Sequence, residues 1–254
     1  MGRLGLVLSG GGARGVAHLG LLQALDEMGL KPTIISGVSS GAIIGALYAS
    51  GYSPQEILKL TKDHSATTIM GVILTSGGLF SPKGLMEVLT AAIATDSFEQ
   101  LQIPLFVTAT DIVTGTPMTF SKGPLFEVLA GSCDIPALFD PIKSGNRYLV
   151  DGSVMNNLPV DCLIGQCDQI LGSHVNKLFH PQKEPLSRLQ VFERCFQLAI
   201  SGTVTAQGKR CDLLIEPDLS DYNMFEMKFS DDIFEIGYAK AKENRQILEN
   251  LFRH

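Results

Sequence analysis

The sequence predicts an α/β fold with a mainly parallel central sheet, and two observations carry that expectation. An apolar run, LGLVLS (4–9), leads into a glycine-rich turn and then a helical pattern. A second apolar run, around Ile34 and Ile35, repeats the same order one helix later. Strand, turn and helix repeated in this way imply parallel strands joined by crossover helices. The composition, 254 residues with 45% hydrophobic and 18% charged, is enough for one sizeable core, so a single domain over 1–254 is expected.

After the first turn, Val16, Leu19, Leu22, Leu25 and Met28 recur near helical spacing and Gly29 marks the stop. The stretch PTIISGVSSGAIIGALYASG (32–51) contains the second strand, a tight glycine turn and a helix of small residues. Ser53-Pro54-Gln55-Glu56 combines an N-cap serine, a first-turn proline and a glutamate three residues after the cap. Ser81-Pro82 opens a further helix. Between these two helices, residues 65–80 are apolar, glycine-containing and poorly periodic, which suits either core or a cover over a site.

Downstream, 103–115 reads as a strand running into a turn and 126–142 as a helix broken before Pro136. Residues 147–160 read as a strand with a proline-marked exit and 167–176 as a short strand. An amphipathic helix at 188–201 and a last strand at 211–219 follow. A terminal helix over 230–252 has Ser230 as its cap and Asp231 and Asp232 in its first turn. No internal repeat or linker-like stretch interrupts the series.

A net charge of −6 without a basic block argues against a nucleic-acid partner. Cys133, Cys162, Cys167, Cys195 and Cys211 are odd in number and lack C-x-x-C spacing, which fits reduced thiols in a cytoplasmic protein and neither a disulfide framework nor a zinc site. The N-terminal run is broken by glycines and charge, unlike a signal peptide, and no stretch reaches the ~18 apolar residues of a membrane span.

Chemistry concentrates in three places. Gly37-Val38-Ser39-Ser40-Gly41 is a Gly-x-Ser-x-Gly pentapeptide after a strand and before a helix, the setting of a nucleophilic serine on a strained turn. Gly10, Gly12 and Gly15 satisfy G-x-G-x-x-G, but no acidic residue ends the next strand and no Gly-Lys-Ser/Thr follows, so a nucleotide phosphate is disfavoured. Arg14 in that loop suits either an anion or a neighbouring carbonyl.

Asp151, in Leu149-Val150-Asp151-Gly152, ends an apolar strand in a glycine turn. It suits a base for Ser39 or a turn aspartate bonding its own backbone. Asp111 has a similar setting, whereas Asp134, Asp140 and Asp168 read as cap or surface residues. Of the five histidines, His18, His64, His180 and His254 read as surface or packing residues. His174 follows an apolar stretch, so Ser39, Asp151 and His174 fit the chain order of a hydrolase triad.

Together, Gly10-Gly11-Gly12-Ala13-Arg14-Gly15, Gly37-Val38-Ser39-Ser40-Gly41 and Asp151-Gly152 resemble the patatin-like phospholipase family, in particular its bacterial branch. The surroundings SCDIPALFDPI, YLVDGSVMNNLPV and IEPDLSDYNMFEM extend that resemblance over nearly the whole chain. It implies a three-layer α/β/α patatin-like fold and a Ser–Asp dyad without histidine. Ser39 would attack an ester carbonyl and Asp151 would accept its proton. The loop Gly10–Gly15 would form the oxyanion hole, with N–H groups around Gly11, Gly12 and Ala13 and with Arg14 near. Gly37, Gly41 and Gly152 would shape the turns.

No metal or cofactor is implied. The expected partner is a lipid or lysolipid ester, with peripheral contact at the inner face of the membrane and with segment 65–98 lining the acyl channel. Two departures stand out: Ser153 occupies the position after Asp-Gly where Gly or Ala is usual, and Ser9 precedes the loop where some members carry aspartate. The competing expectations are a non-catalytic lipid-binding protein on the same fold and the triad esterase.

Overall fold

The computed structural model describes residues 2–62, 89–136, 140–179 and 188–252. Five strands run parallel: β1 (Leu4–Leu8), β2 (Ile34–Val38), β3 (Leu105–Asp111), β7 (Gln169–Ser173) and β8 (Leu213–Ile215), in the spatial order β3-β2-β1-β7-β8. Both expected strand–helix units are present. The 3-10 turn Gly12–Gly15 and α1 (Val16–Met28) follow β1, and α2 (Ser40–Ala49) follows β2. Then come α3 (Pro54–Lys62), α4 (Leu125–Ser132), α5 (Arg188–Gly208), α6 (Ser230–Glu243) and α7 (Arg245–Phe252). The box before α3 closes as its sequence predicts: the Ser53 N–H donates to Glu56 Oε2 at 2.8 Å and the Glu56 N–H to Ser53 Oγ at 3.3 Å.

Every residue of β1 is buried, and alternate residues enter different clusters. Leu4, Leu6 and Leu8 pack with α1, α2, α3 and α6, while Val7 packs with Leu158, Leu163, Ile170 and Val204 of α5. Both faces of the sheet are therefore covered, which makes three layers. Leu89, Ile93 and Phe98 also belong to the larger cluster, so the described end of segment 65–98 is core. The rest of that segment, 65–88, lies outside the described residues.

Three strands depart from the sequence reading. Residues 103–120 form a hairpin in which β4 (Thr116–Phe120) returns antiparallel to β3, with Pro117 opposite Thr110. Proline is tolerated there because β4 pairs on one side only. Beyond α4, β5 (Ile142–Ser144) pairs with β6 (Arg147–Asp151), and β6 pairs antiparallel with β3. Asp151 thus ends a strand running against the parallel set.

The registers place β6. β4 covers Val107–Asp111 on one edge of β3, so β2 (opposite Leu105–Thr108) and β6 (opposite Ala109–Asp111) must share the other edge. β2 and β6 meet there head-on, Val38 facing Thr108 and Asp151 facing Ala109. The C-terminal helix also differs. It is two helices interrupted at Asn244, whose side-chain amide donates to the Lys240 carbonyl at 2.9 Å. The cap position is Phe229, and Ser230 is the first helical residue with its hydroxyl donating to the Met227 carbonyl.

Candidate active site

Ser39 occupies the junction between β2 and α2 with φ 52° and ψ −129°, the only positive φ of a non-glycine among the described residues. Such backbone costs on the order of 1–3 kcal/mol and persists only where the surroundings enforce it. Here they do. The Ser39 N–H donates to Ser132 Oγ at 2.9 Å, and the Ser132 hydroxyl donates to the Thr108 carbonyl at 2.7 Å, tying the turn to α4 and β3. The Ser39 carbonyl accepts the Ala42 N–H at 2.9 Å. Gly41 lets α2 start against the end of β1, since a methyl group there would strike the Leu8 and Ser9 carbonyls; Gly37 faces the Ala42 backbone in the same way.

The Asp151 carboxylate lies beside this serine because the two strands meet end to end. It is buried and accepts the Ser153 N–H at 2.8 Å, and the Ser39 and Ser153 hydroxyls lie close enough to favour its charged form. Burial pushes its proton affinity above that of an ordinary aspartate, and those hydrogen bonds hold the rise in check. Gly152 turns beneath it, where a methyl group would strike the Thr108 carbonyl and lie 2.7 Å from Val38 Cγ2. The departure Ser153 is thus a direct partner of Asp151.

Two neighbours escaped the sequence reading. Cys133 ends α4 near Ser39, and burial pushes its thiol well up, so the S–H stays protonated. Asp134 is a correction: it is neither a cap nor a surface residue but 1% exposed. Its carbonyl accepts the Asp151 N–H at 2.8 Å. Burial, followed by the charges of Asp151 and Asp140, pushes its carboxyl up to about 7. Neither signal is visible in sequence, because both depend on the chain folding back from α4 onto β6. Asp140 is exposed and Asp168 pairs with Arg3 at the surface, as expected. Asp111 accepts the Val113 N–H at 3.1 Å, as a turn aspartate does.

The glycine loop separates into different duties. A methyl group on Gly10 would lie 3.1 Å from Ser39 Cβ, so the loop borders the serine. The N–H groups of Gly10, Gly11 and Gly12 make no hydrogen bond within the described residues. Ala13 is a correction, because its N–H donates to the Met224 carbonyl at 2.9 Å and is already committed. The Arg14 N–H donates to the Gly11 carbonyl at 3.2 Å. Gly15 packs against Ser40 at the start of α2.

The Arg14 guanidinium turns away from Ser39. Its Nη2 is 2.7 Å from Glu193 Oε1 of α5, its Nε donates to the Tyr222 carbonyl at 2.8 Å and its Nη1 to Asn176 Oδ1 at 3.2 Å. Asn176 in turn donates to the Gly10 carbonyl at 2.8 Å. Arg14 is therefore a brace for the loop, not a donor at the serine.

Neither described histidine hydrogen-bonds Ser39 or Asp151. His174 is buried with Nδ1 2.8 Å from Glu216 Oε1, at the ends of β7 and β8. His18 is buried between Ser173 Oγ and the Ser9 carbonyl and is pushed down to about 4 by desolvation, hence neutral. The expectations for His64, His180 and His254 fall on residues outside those described. All five cysteines are free thiols, and no cluster of three metal-ligating side chains occurs among the described residues.

Comparison with known proteins follows the same outline. Residues 6–164 match the family model for patatin-like phospholipase. An uncharacterized NTE family protein of Mycobacterium tuberculosis is 28% identical over 98% of this chain and 48% of its own length. Lysophospholipase nte1 of Aspergillus fumigatus is 27% identical over 98% of this chain and 18% of its own. The chain thus spans less than half the length of these relatives. Among solved structures, VipD from Legionella pneumophila aligns with TM-score 0.57 and 16% identity over 95% of this chain and 66% of its own. Human GIVD cytosolic phospholipase A2 aligns with TM-score 0.54 and 13% identity over 99% and 59%. Both share the fold.

Proposed function

The chain belongs to the patatin-like phospholipase family, and from that premise we propose that it is a serine acyl-ester hydrolase acting on phospholipid or lysophospholipid esters through a Ser39–Asp151 dyad. The observation that carries this reading is the head-on junction of β2 and β6, which sets the strained turn at Ser39 beside the buried Asp151. Ser39 Oγ attacks the ester carbonyl carbon as its proton passes to the Asp151 carboxylate. The developing oxyanion takes the uncommitted N–H groups of Gly11 and Gly12, where one such donor is typically worth ~2.7–4 kcal/mol of barrier. The intermediate collapses, the alcohol leaves with the proton held on Asp151, and an acyl group remains on Ser39 Oγ. Water then hydrolyses that ester with Asp151 again as base.

A carboxylate is a weak base for an alcohol, and desolvation of Asp151 narrows the gap. The N-terminus of α2 adds a favourable field for negative charge beside Ser39. Similarity to a lysophospholipase supports the lipid ester as substrate. No helix among the described residues is long and apolar enough to cross a membrane, so an acyl chain would be drawn from a lipid surface met from outside.

A fluorophosphonate probe tests the reading. The native protein should be labelled on Ser39, and Ser39→Ala and Asp151→Asn should lose both labelling and ester hydrolysis. A native protein that is folded yet neither labelled nor active on lysophospholipid would favour the lipid-binding alternative.

A further inference from the structure

Five buried side-chain polar atoms lack a hydrogen-bond partner among the described residues, and they belong to three residues: Ser40, Asp134 and Asn157. All three border one place. Ser40 follows Ser39, Asp134 holds the Asp151 N–H through its carbonyl, and Asn157 lies against Gly10. An orphaned buried amide costs about 1–3 kcal/mol, so its retention beside Ser39 calls for a role that uses it.

Asn157 is the most exacting case. It is 0% exposed, and both its oxygen and its nitrogen are uncommitted. Its neighbour Asn156 shows the contrast: that side chain accepts the Leu158 N–H at 3.3 Å and donates to Asp161 at 3.3 Å, an ordinary structural asparagine. A methyl group on Gly10 would be 2.7 Å from Asn157 Oδ1, 3.1 Å from Ser39 Cβ and in collision with Ser153 Oγ. Three side chains therefore converge on the Gly10 backbone: Ser39, the hydroxyl of Ser153, and an amide with a donor and an acceptor to spare.

We propose that Asn157 binds the water that hydrolyses the acyl-enzyme and presents it to Asp151. The inference rests on the Ser39–Asp151 reading and adds the reactant of its second half. An amide suits the task because it accepts one water proton through Oδ1, or donates to the water oxygen through Nδ2, without competing for the transferred proton. The water oxygen bonds to the acyl carbon as one water proton passes to Asp151. The bond from that carbon to Ser39 Oγ then breaks, Asp151 returns the proton to Ser39 Oγ, and the free carboxylic acid leaves. Asn157 gains and loses no proton in this sequence.

Asn157→Leu, similar in shape and without polar atoms, tests the proposal with p-nitrophenyl butyrate as substrate. Steady-state turnover should fall at least 10-fold while the variant accumulates butyryl-Ser39, seen as a mass adduct on the intact protein. Thermal stability should be equal or higher, since an orphaned amide has been removed. Acyl-enzyme absent from a variant that has lost turnover, or turnover unchanged from native, overturns the proposal. Asn157→Ala serves the same test if the leucine fails to fold, and fluorophosphonate labelling reports an intact Ser39 in either. Failure of the native protein itself to label would instead sink the dyad reading.

Discussion

Val38 and Asp151 take consecutive places along one edge of β3, opposite Thr108 and Ala109. The residue after Val38 is Ser39, so the pairing of two strands with β3 decides that the serine and the carboxylate meet. The alignment depends on backbone register, and the side chains exploit it.

Ser153 lowers the proton affinity of Asp151 by hydrogen bonding its carboxylate. Ser153→Ala keeps the backbone N–H bond and removes the hydroxyl beside the carboxylate, which should raise that affinity. If Asp151 must be ionised to act as base, the acidic limb of kcat/KM moves to higher pH. A hydrogen bond to a charged group worth ~1.5 kcal/mol corresponds to a move of about 1 pH unit. The pH–rate profile on a soluble ester measures it, and an unmoved limb would show that Ser153 has no hold on the base.

Asp134 is held protonated by burial until about pH 7, whereas in the unfolded chain it ionises near the ordinary aspartate value. The folded state then binds the extra proton between roughly pH 4 and 7, so this residue costs stability as pH rises through that window. Asp134→Asn should match the native melting temperature below about pH 4. It should exceed it increasingly up to pH 7, and then hold a lead of about 10 °C. Calorimetry from pH 4 to 8 would expose a constant difference, which would contradict the assignment.

Glu193 and Arg14 form a buried ion pair across the glycine loop and α5. Glu193→Ala leaves a buried guanidinium without its partner, a change worth about 3–5 kcal/mol. A melting temperature lower by about 10 °C is expected. Because Arg14 braces Gly10 through Asn176, kcat should also fall more than KM changes.

His174 bonds Glu216 and makes no hydrogen bond to Ser39 or Asp151. His174→Ala should therefore retain ester hydrolysis within about 3-fold of native, whereas Asp151→Asn should lose on the order of 10³-fold or more. A comparable loss in both variants would restore the triad.

Much of this was legible in the residues. The strands at 4–8 and 34–38 were readable because buried parallel strands are continuous apolar runs, and the Ser39 turn because glycine flanks it on both sides. The hairpin strand β4 was not, since TPMTF is short, half-exposed and carries a proline. Asp134 and Cys133 were hidden because their environment comes from contacts between α4 and β6, distant in sequence. Arg14 was ambiguous for the same reason: its partners Glu193 and Tyr222 lie far down the chain. The orphaned amide of Asn157 has no sequence signature at all beside the ordinary Asn156.

The head-on meeting of β2 and β6 also has a consequence in time. During synthesis the N-terminal part of the chain leaves the ribosome first, and β1, α1, β2 and α2 can begin to pack as soon as they emerge. Ser39 then has no carboxylate beside it until β6 arrives and finds the free half of the β3 edge, a late event that closes a long loop. A growing chain can thus bury much of its apolar surface before these two residues meet. Ser39 gains its carboxylate neighbour only after the strand that carries Asp151 has been laid down.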